Sequence, residues 1–162
     1  MTERTHKKSR DPKPGKFPTL DQKLCFAIYA SSLAMLQSYK PMLADLGITY
    51  PQYLVMLALW EQDGVSLKQL ADRLGLDSGS VTPLVKRLEE ASFLTRRRDP
   101  EDERNLVVEL TREGRALQAN AEEASGRFVN ACQLSQAEGG DLRDRLAALT
   151  RTLRAAEDDS WD

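Results

Sequence analysis

The chain has 162 residues, 41% of them hydrophobic, and a formal net charge of −2. That length suits one domain or one protomer of an intertwined oligomer, and that charge excludes a general polycation. No apolar run approaches the roughly 20 residues that span a bilayer, and the basic stretch MTERTHKKSRDPKPGK leads into no apolar segment, so a cytoplasmic protein with no membrane partner is expected.

Two cysteines, Cys25 and Cys132, make no disulfide scaffold, and the one histidine, His6, lies in the basic tail. Without CxxC, HxxxH or paired histidines, a Cys/His metal site is not expected. GxGxxG, GxxxxGK[ST] and GxSxG are all missing, which speaks against a conventional enzyme and against a nucleotide cofactor.

Residues 1–18, rich in Lys, Arg, Pro and Gly, read as a disordered basic arm. Four S/T-x-x-E/Q segments then mark helix starts: TLDQ at 19–22, TYPQ at 49–52, SLKQ at 66–69 and SQAE at 135–138. In such a box the first side chain and the fourth satisfy each other's backbone donors. The first helix is expected from about Leu20 to Tyr39, with Leu24, Ile28, Met35 and Tyr39 on one stripe. Pro41 should bend or interrupt it, and Gly47 should end the short helical stretch that follows. Residues 50–62, YPQYLVMLALWEQ, are apolar nearly all round and predict a buried helix.

Leu67, Leu70, Ala71 and Leu74 follow i, i+3, i+4, i+7, and Val81, Leu84, Val85 and Leu88 repeat that spacing across a turn at Gly75. This is a helix-turn-helix pattern. Pro83 conflicts with a helix interior, so the second helix should start late, near Ser80, or have a distorted first turn. LTRRRDPEDERNLVVELT switches to a period of two around the turn chemistry of DPED, which predicts a two-stranded hairpin, a wing, with Leu106, Val108 and Leu110 on one face and Val107 and Glu109 on the other. Thr111 should cap a long helix to about Gln133. A last helix should carry Leu142, Leu146, Leu149 and Leu153 on its stripe, with Gly139 and Gly140 near its start.

The fold class expected is therefore mainly α with a small β-hairpin wing. Residues 49–111 form a winged helix-turn-helix lobe, flanked by helical residues 19–48 and 112–158. The lobe has what duplex DNA asks for, since phosphates are held by cations, hydroxyls and helix N-termini while base edges are read by side chains on a helix in the major groove. Ser78, Gly79, Ser80 and Thr82 are small enough for close approach, Lys86 follows one to two turns on, and Arg96, Arg97, Arg98 and Arg104 lie on the hairpin, whose tip suits the minor groove. Asp102 is placed to orient Arg104. The rival reading is a plain helical bundle with a solvated arginine face.

The run LADRLGLDSGSVTPLVKRLEEASFLTRRRDPEDERNLVVELTREG resembles the winged helix of the MarR family, with its D-x-x-D-x-R wing and the LTxxG that leads into the next helix. That resemblance, over about Leu20 to Ala155, implies a homodimer on a pseudopalindromic operator, with residues 19–48 and 112–158 as its intertwined helical dimerisation region and its recognition helices one DNA turn, about 34–36 Å, apart. Within the family, LCFAIYASSLAMLQSYKPMLADLGITYPQYL is similar to the organic hydroperoxide resistance regulators. The likeness makes Cys25 the peroxide-sensing thiol, and Tyr39 and Tyr50 the two phenols that reach it from the partner subunit, with Tyr29 a third nearby. It implies a repressor that leaves DNA when organic hydroperoxide oxidises Cys25.

On chemistry alone, a thiol at the start of a helix gains from the macrodipole and from phenol donors, and its thiolate becomes a sulfenic acid on attacking a peroxide. Phe26, Ile28, Met35 and Leu36 would give it an apolar setting suited to organic peroxides. Against this, free cysteines are among the most buried residue types and are mostly inert. Cys132 lies where some of these regulators carry a second cysteine that forms an intersubunit disulfide with the oxidised sensor; its plain alternative is to fill a helix-packing gap. The tyrosines have theirs as well, since tyrosines commonly fill dimer seams, and Tyr53 is read as core. Two further functions stay open: a MarR-type repressor induced by a phenolic or lipophilic ligand, and a thiol peroxidase.

Overall fold

The computed structural model describes residues 17–99 and 105–158. The expected basic arm therefore lies outside the described residues up to Lys16, as do Asp102 and Arg104. Two compact units divide between Ser38 and Tyr39.

In the first unit the box at Thr19 forms, the Thr19 N–H donating to Gln22 Oε1 at 3.0 Å. It caps a single 3-10 turn, Leu20–Gln22, rather than the long helix. Lys23 is extended (φ −88°, ψ 124°) and separates that turn from α1, Leu24–Asp45. The expected start at Leu20 is thus corrected to Leu24. The Lys23 ammonium sits 4.0 Å from the centroid of the Phe17 ring, a cation–π contact.

The expected stop at Pro41 is also corrected, because α1 runs through it to Asp45. A proline there leaves the carbonyl four residues back without its N–H partner. That residue, Gln37, is exposed, as is Pro41, so water can satisfy the orphan. The helix ends at Gly47, whose N–H donates to the Ala44 carbonyl at 3.0 Å while the Ile48 N–H reaches Leu43 at 3.1 Å.

The second unit builds its core from α2, Tyr50–Glu61; α3, Leu67–Leu74; and α4, Ser78–Glu90. These pack on a sheet of β1, Val65–Ser66; β2, Leu94–Arg98; and β3, Leu106–Leu110. Its fully buried side chains are Val55, Met56, Leu59, Leu70, Val81, Val85, Leu88, Leu94 and Val108. Removing each from water contributes about 1.5–3 kcal/mol. As expected, α2 is the central helix, with Gln52, Tyr53, Val55, Met56 and Leu59 buried. Gln52 is spent on its own helix start, accepting from the Thr49 N–H at 2.7 Å and the Thr49 hydroxyl at 3.0 Å.

The turn of the helix-turn-helix is made by Gly75 at φ +66°, a left-handed conformation that costs only glycine nothing. The Leu76 N–H closes back on the Ala71 carbonyl at 3.0 Å. The second helix starts at Ser78, two residues before the expected Ser80, because Asp77 caps it. Asp77 Oδ1 accepts from the Ser80 N–H at 2.8 Å and Oδ2 from the Ser80 hydroxyl at 2.7 Å. Pro83 is accommodated inside α4. The carbonyl it leaves without a partner belongs to exposed Gly79, and the Thr82 hydroxyl takes the Ser78 carbonyl at 2.7 Å.

The sheet is antiparallel in the order β1-β3-β2. The hairpin of β2 and β3 is the expected one, with Leu94 opposite Leu110 and Arg98 opposite Leu106. A third strand joins it, Val65 pairing with Val108 and Ser66 with Val107, so the expected two-stranded wing is corrected to a three-stranded sheet. Val107 is buried too, against the expected alternation, because its flanking cross-strand partners Ser66 and Arg97 stand beside it on the same face. Beyond the sheet come α5, Arg112–Ala131, capped by Thr111, and α6, Gln136–Asp158, opened by the Ser135–Glu138 box.

Candidate DNA-reading and redox-sensing sites

The face of α4 opposite its buried stripe of Val81, Val85 and Leu88 is exposed at Ser78, Gly79, Ser80, Thr82, Pro83 and Lys86. All five residues expected to read DNA from this helix are thus exposed. Its N-terminal N–H groups are oriented by the Asp77 cap, whose carboxyl is held below the usual carboxylate range by the Ser80 hydroxyl and N–H.

The wing arginines differ from one another. Arg96 is half-buried and clamped to Glu89 of α4, which accepts from its backbone N–H at 3.0 Å, its Nε at 2.8 Å and its Nη2 at 2.5 Å. The guanidinium holds the Glu89 carboxyl below its ordinary range. Arg97 reaches diagonally to Glu109 on β3 at 2.6 Å and is about half exposed. Arg98 lies exposed at the end of β2. Sequence reasoning missed the Glu89 clamp, since its two residues belong to different elements.

At the root of the wing, Asp63 gathers three donors that sequence reasoning missed. Its Oδ1 accepts from the Gly64 N–H at 2.9 Å and the Leu110 N–H at 2.8 Å, and its Oδ2 from Arg115 at 2.7 Å. The Trp60 indole N–H donates to the Gly114 carbonyl at 2.9 Å, tying α2 to the first turn of α5.

Two of the expected sensor tyrosines come together in the second unit, against Phe128 of α5. Tyr39 stacks on Tyr50 at 5.3 Å, Tyr53 at 5.7 Å and Phe128 at 4.7 Å between ring centroids. Tyr53 is buried core, as expected, and continues the stack to Trp60 at 6.4 Å. Burial pushes the Tyr39 phenol up to about 12, the Ser125 hydroxyl works against that, and Tyr53, Tyr50 and Cys132 add to it. Tyr50 is raised as well, by burial first and then by Tyr53. Both phenols are therefore proton donors at neutral pH. Cys132 itself is exposed, as the last residue before the turn between α5 and α6.

Cys25 and Tyr29 lie in the first unit, on α1. Cys25 is the second residue of the helix and its thiol is exposed, as is Tyr29 one turn on. Among the described residues no group of three or more His, Cys, Asp or Glu is placed to hold a metal ion. No single described helix is long and apolar enough to cross a membrane.

The sequence model of the MarR family matches residues 48–106. The organic hydroperoxide resistance transcriptional regulator of Bacillus subtilis (strain 168) is 43% identical over 134 residues, which are 83% of this chain and 89% of that protein. AbfR, solved from Staphylococcus epidermidis, is a structural neighbour in two redox states. Reduced AbfR bound to DNA aligns with a TM-score of 0.73 at 34% identity, over 85% of this chain and 94% of that one. Disulfide-formed AbfR aligns with a TM-score of 0.61 at 34% identity, over 86% and 92%.

Proposed function

The chain belongs to the MarR family of DNA-binding transcriptional regulators, and on that premise we propose that it is a homodimeric repressor whose grip on an operator is released when organic hydroperoxide oxidises Cys25. The observation that carries this reading is the cluster of Tyr39, Tyr50 and Phe128, drawn from the second half of α1, the start of α2 and the end of α5, with Cys132 one turn beyond Phe128 at the C-cap of α5. Protonated phenols, Tyr39 buried and Tyr50 half-buried, suit a site that accepts a second sulfur and donates hydrogen bonds to it. In a dimer that sulfur is Cys25 of the partner subunit. Tyr29, one turn from Cys25 on the same helix, flanks it.

The chemistry has two balanced steps. The Cys25 thiolate attacks the peroxide, the O–O bond breaks, and Cys25 becomes a sulfenic acid while the alkoxide leaves as an alcohol after taking a proton. The Cys132 thiol then attacks that sulfur; a disulfide forms and water leaves with the thiol's proton. A disulfide needs Cα atoms within about 7 Å, so closing it moves the helices that carry the two sulfurs, and that movement reorients the lobes on DNA.

In this reading residues 49–111 hold DNA, and residues 19–48 and 112–158 hold the dimer together. Ser78, Gly79, Ser80, Thr82 and Lys86 face the major groove, and Arg97 and Arg104 serve the wing. Arg96, already engaged by Glu89, sets the position of the wing rather than contacting a phosphate. The protein works in the cytoplasm, where DNA is and where thiols stay reduced.

The test is intact mass spectrometry under non-reducing, denaturing conditions, before and after one equivalent of cumene hydroperoxide. A covalent dimer that dithiothreitol reverses, and that Cys132→Ser abolishes, is the expected result. A monomer carrying oxygen or a small thiol on Cys25 would keep the sensor and remove Cys132 from it. An unmodified monomer would sink the redox reading in favour of a ligand-induced repressor.

A further inference from the structure

The carboxylate of Asp63 sits at a corner of the chain. β3 ends at Leu110, Thr111 caps the next helix, and α5 begins at Arg112, so the wing passes directly into the helix that ends at Cys132. Asp63 spans that corner from outside it. Its Oδ1 accepts from the N–H of Leu110, the last residue of the strand, at 2.8 Å, and its Oδ2 accepts from Arg115, in the first turn of the helix, at 2.7 Å. A third bond, from the Gly64 N–H to Oδ1 at 2.9 Å, holds the carboxylate against its own backbone, so that turning it toward one partner loses another.

Two other bonds hold the start of α5, and neither involves β3. Trp60 of α2 donates to the Gly114 carbonyl, and the Thr111 hydroxyl donates to the Ser92 carbonyl before β2. These keep the helix on the lobe, whereas Asp63 shares one rigid group between the helix and the wing strand. The Arg115 arm adds little to stability, because the Arg115 and Asp63 side chains are 56% and 29% exposed and water screens such pairs. Its geometry is what counts. It sets the direction in which α5 leaves the strand, and the 20 residues of α5 carry that direction over about 30 Å to Cys132.

We infer that Asp63 is a positioning residue that couples the wing to α5: when Cys132 is drawn into a disulfide, the displacement of the helix passes through Arg115 and Asp63 to β3. This rests on the proposed disulfide between Cys132 and Cys25 of the partner subunit. In this scheme Asp63 touches neither sulfur nor DNA; it sets how much DNA affinity oxidation removes. Coupling is a free-energy difference between two states. Removing the link therefore shrinks the ratio of reduced to oxidised affinity, while removing a simple staple lowers both affinities together.

The experiment measures that ratio in the full-length protein. The probe is a duplex selected from a random-sequence pool by the reduced parent. Its affinity is read by fluorescence anisotropy in dithiothreitol and after one equivalent of cumene hydroperoxide per subunit, with intact mass checking that disulfide content is equal. Asp63→Asn keeps Oδ1 for the two backbone donors and removes the charge facing Arg115; Arg115→Gln removes the arm from its other end. Each should leave reduced affinity within about twofold of the parent and cut the reduced-to-oxidised ratio about fivefold, near 1 kcal/mol. Arg115→Lys, which keeps a cation within reach of Oδ2, should restore most of the ratio, and thermal midpoints verify that the variants fold. An unchanged ratio, or reduced and oxidised affinities that fall together, would overturn the inference and leave Asp63 a structural staple with the sensor reading intact. Variants that form no disulfide would overturn it too, because the link would then act before oxidation rather than after. If oxidation leaves the parent's own affinity unchanged, the sensor reading fails and the inference fails with it.

Discussion

At Gly114 a methyl group would run into the Phe93 carbonyl oxygen. That oxygen is fixed, because it accepts the Thr111 N–H at 3.1 Å, and the Thr111 hydroxyl holds the neighbouring Ser92 carbonyl at 2.7 Å. The Gly114 N–H in turn donates to the Thr111 hydroxyl at 3.0 Å. Only glycine lets the start of α5 come this close to the turn before β2. Gly114→Ala must push the two backbones apart, and overpacking of this kind costs about 1–3 kcal/mol. Thermal unfolding should show a midpoint several degrees lower, with the Trp60 fluorescence altered in the native baseline because its acceptor is the Gly114 carbonyl. Asp77 makes a gentler case. Its depressed carboxyl supports the α4 cap above the ordinary aspartate range and gives up that support as pH falls through its lowered value. Asp77→Ala should fray the first turn of α4, seen as faster amide exchange at Ser80, and weaken operator binding without changing the salt dependence.

Between elements, the bond of most consequence for the proposed DNA-reading surface is Glu89 to Arg96. It joins α4 to β2 through one backbone and two guanidinium donors, and so holds the proposed recognition helix at a set angle to the wing. A phosphate contact and a positioning contact have different signatures. Losing a phosphate contact lowers the slope of log affinity against log salt by about one; losing a positioning contact lowers affinity at every salt concentration. Arg96→Ala should therefore weaken operator binding about tenfold, near 1.4 kcal/mol, with its salt slope unchanged, whereas Lys86→Ala should flatten the slope. Filter-binding titrations from 50 to 300 mM salt separate the two. The pH dependence follows from Glu89, whose carboxyl lies below its ordinary value. The clamp is intact above the ordinary glutamate range and opens as pH falls through that lowered value, so the wing loosens in acid and not in alkali.

For the molecule as a whole, the largest unmet demand is apolar surface. Leu142, Leu146 and Leu153 of α6 are 48%, 43% and 57% exposed, and Leu20, Leu24, Ile28 and Leu33 are exposed in the first unit. A second copy of the chain is the natural cover. Sedimentation equilibrium should give twice the monomer mass. Leu146→Glu with Leu153→Glu should shift it toward monomer, since each leucine contributes about 1.5–3 kcal/mol when buried and a carboxylate in its place would be buried without a partner. The same double variant should lose operator affinity far more steeply than any single DNA-contact variant, because a lone lobe reads half a site.

What the sequence determined by itself lies within a few residues along the chain. The helix-start boxes at Thr49, Ser66 and Ser135, the turn at Gly75, the Thr111 cap and the period-two hairpin are relations over three or four positions, and each is where it was expected; the box at Thr19 forms too, but caps only a 3-10 turn. Similarity to known regulators named Cys25, Tyr39 and Tyr50 as a group, and of these Tyr39 and Tyr50 are in contact. Tertiary structure alone decided the rest. β1 is two residues long, too short for any periodicity, and exists only because β3 offers it an edge. α1 passes Pro41 because the orphaned carbonyl faces water, and α4 begins at Ser78 because the Asp77 cap anchors its first turn. Leu110 and Arg115, which bond Asp63, and Gly114, which bonds Trp60, are tens of residues distant from them in sequence, so no local pattern could name them. A cap depends on neighbours the chain itself supplies; a clamp or a cluster depends on which surfaces the fold brings together, and only burial of the core fixes that.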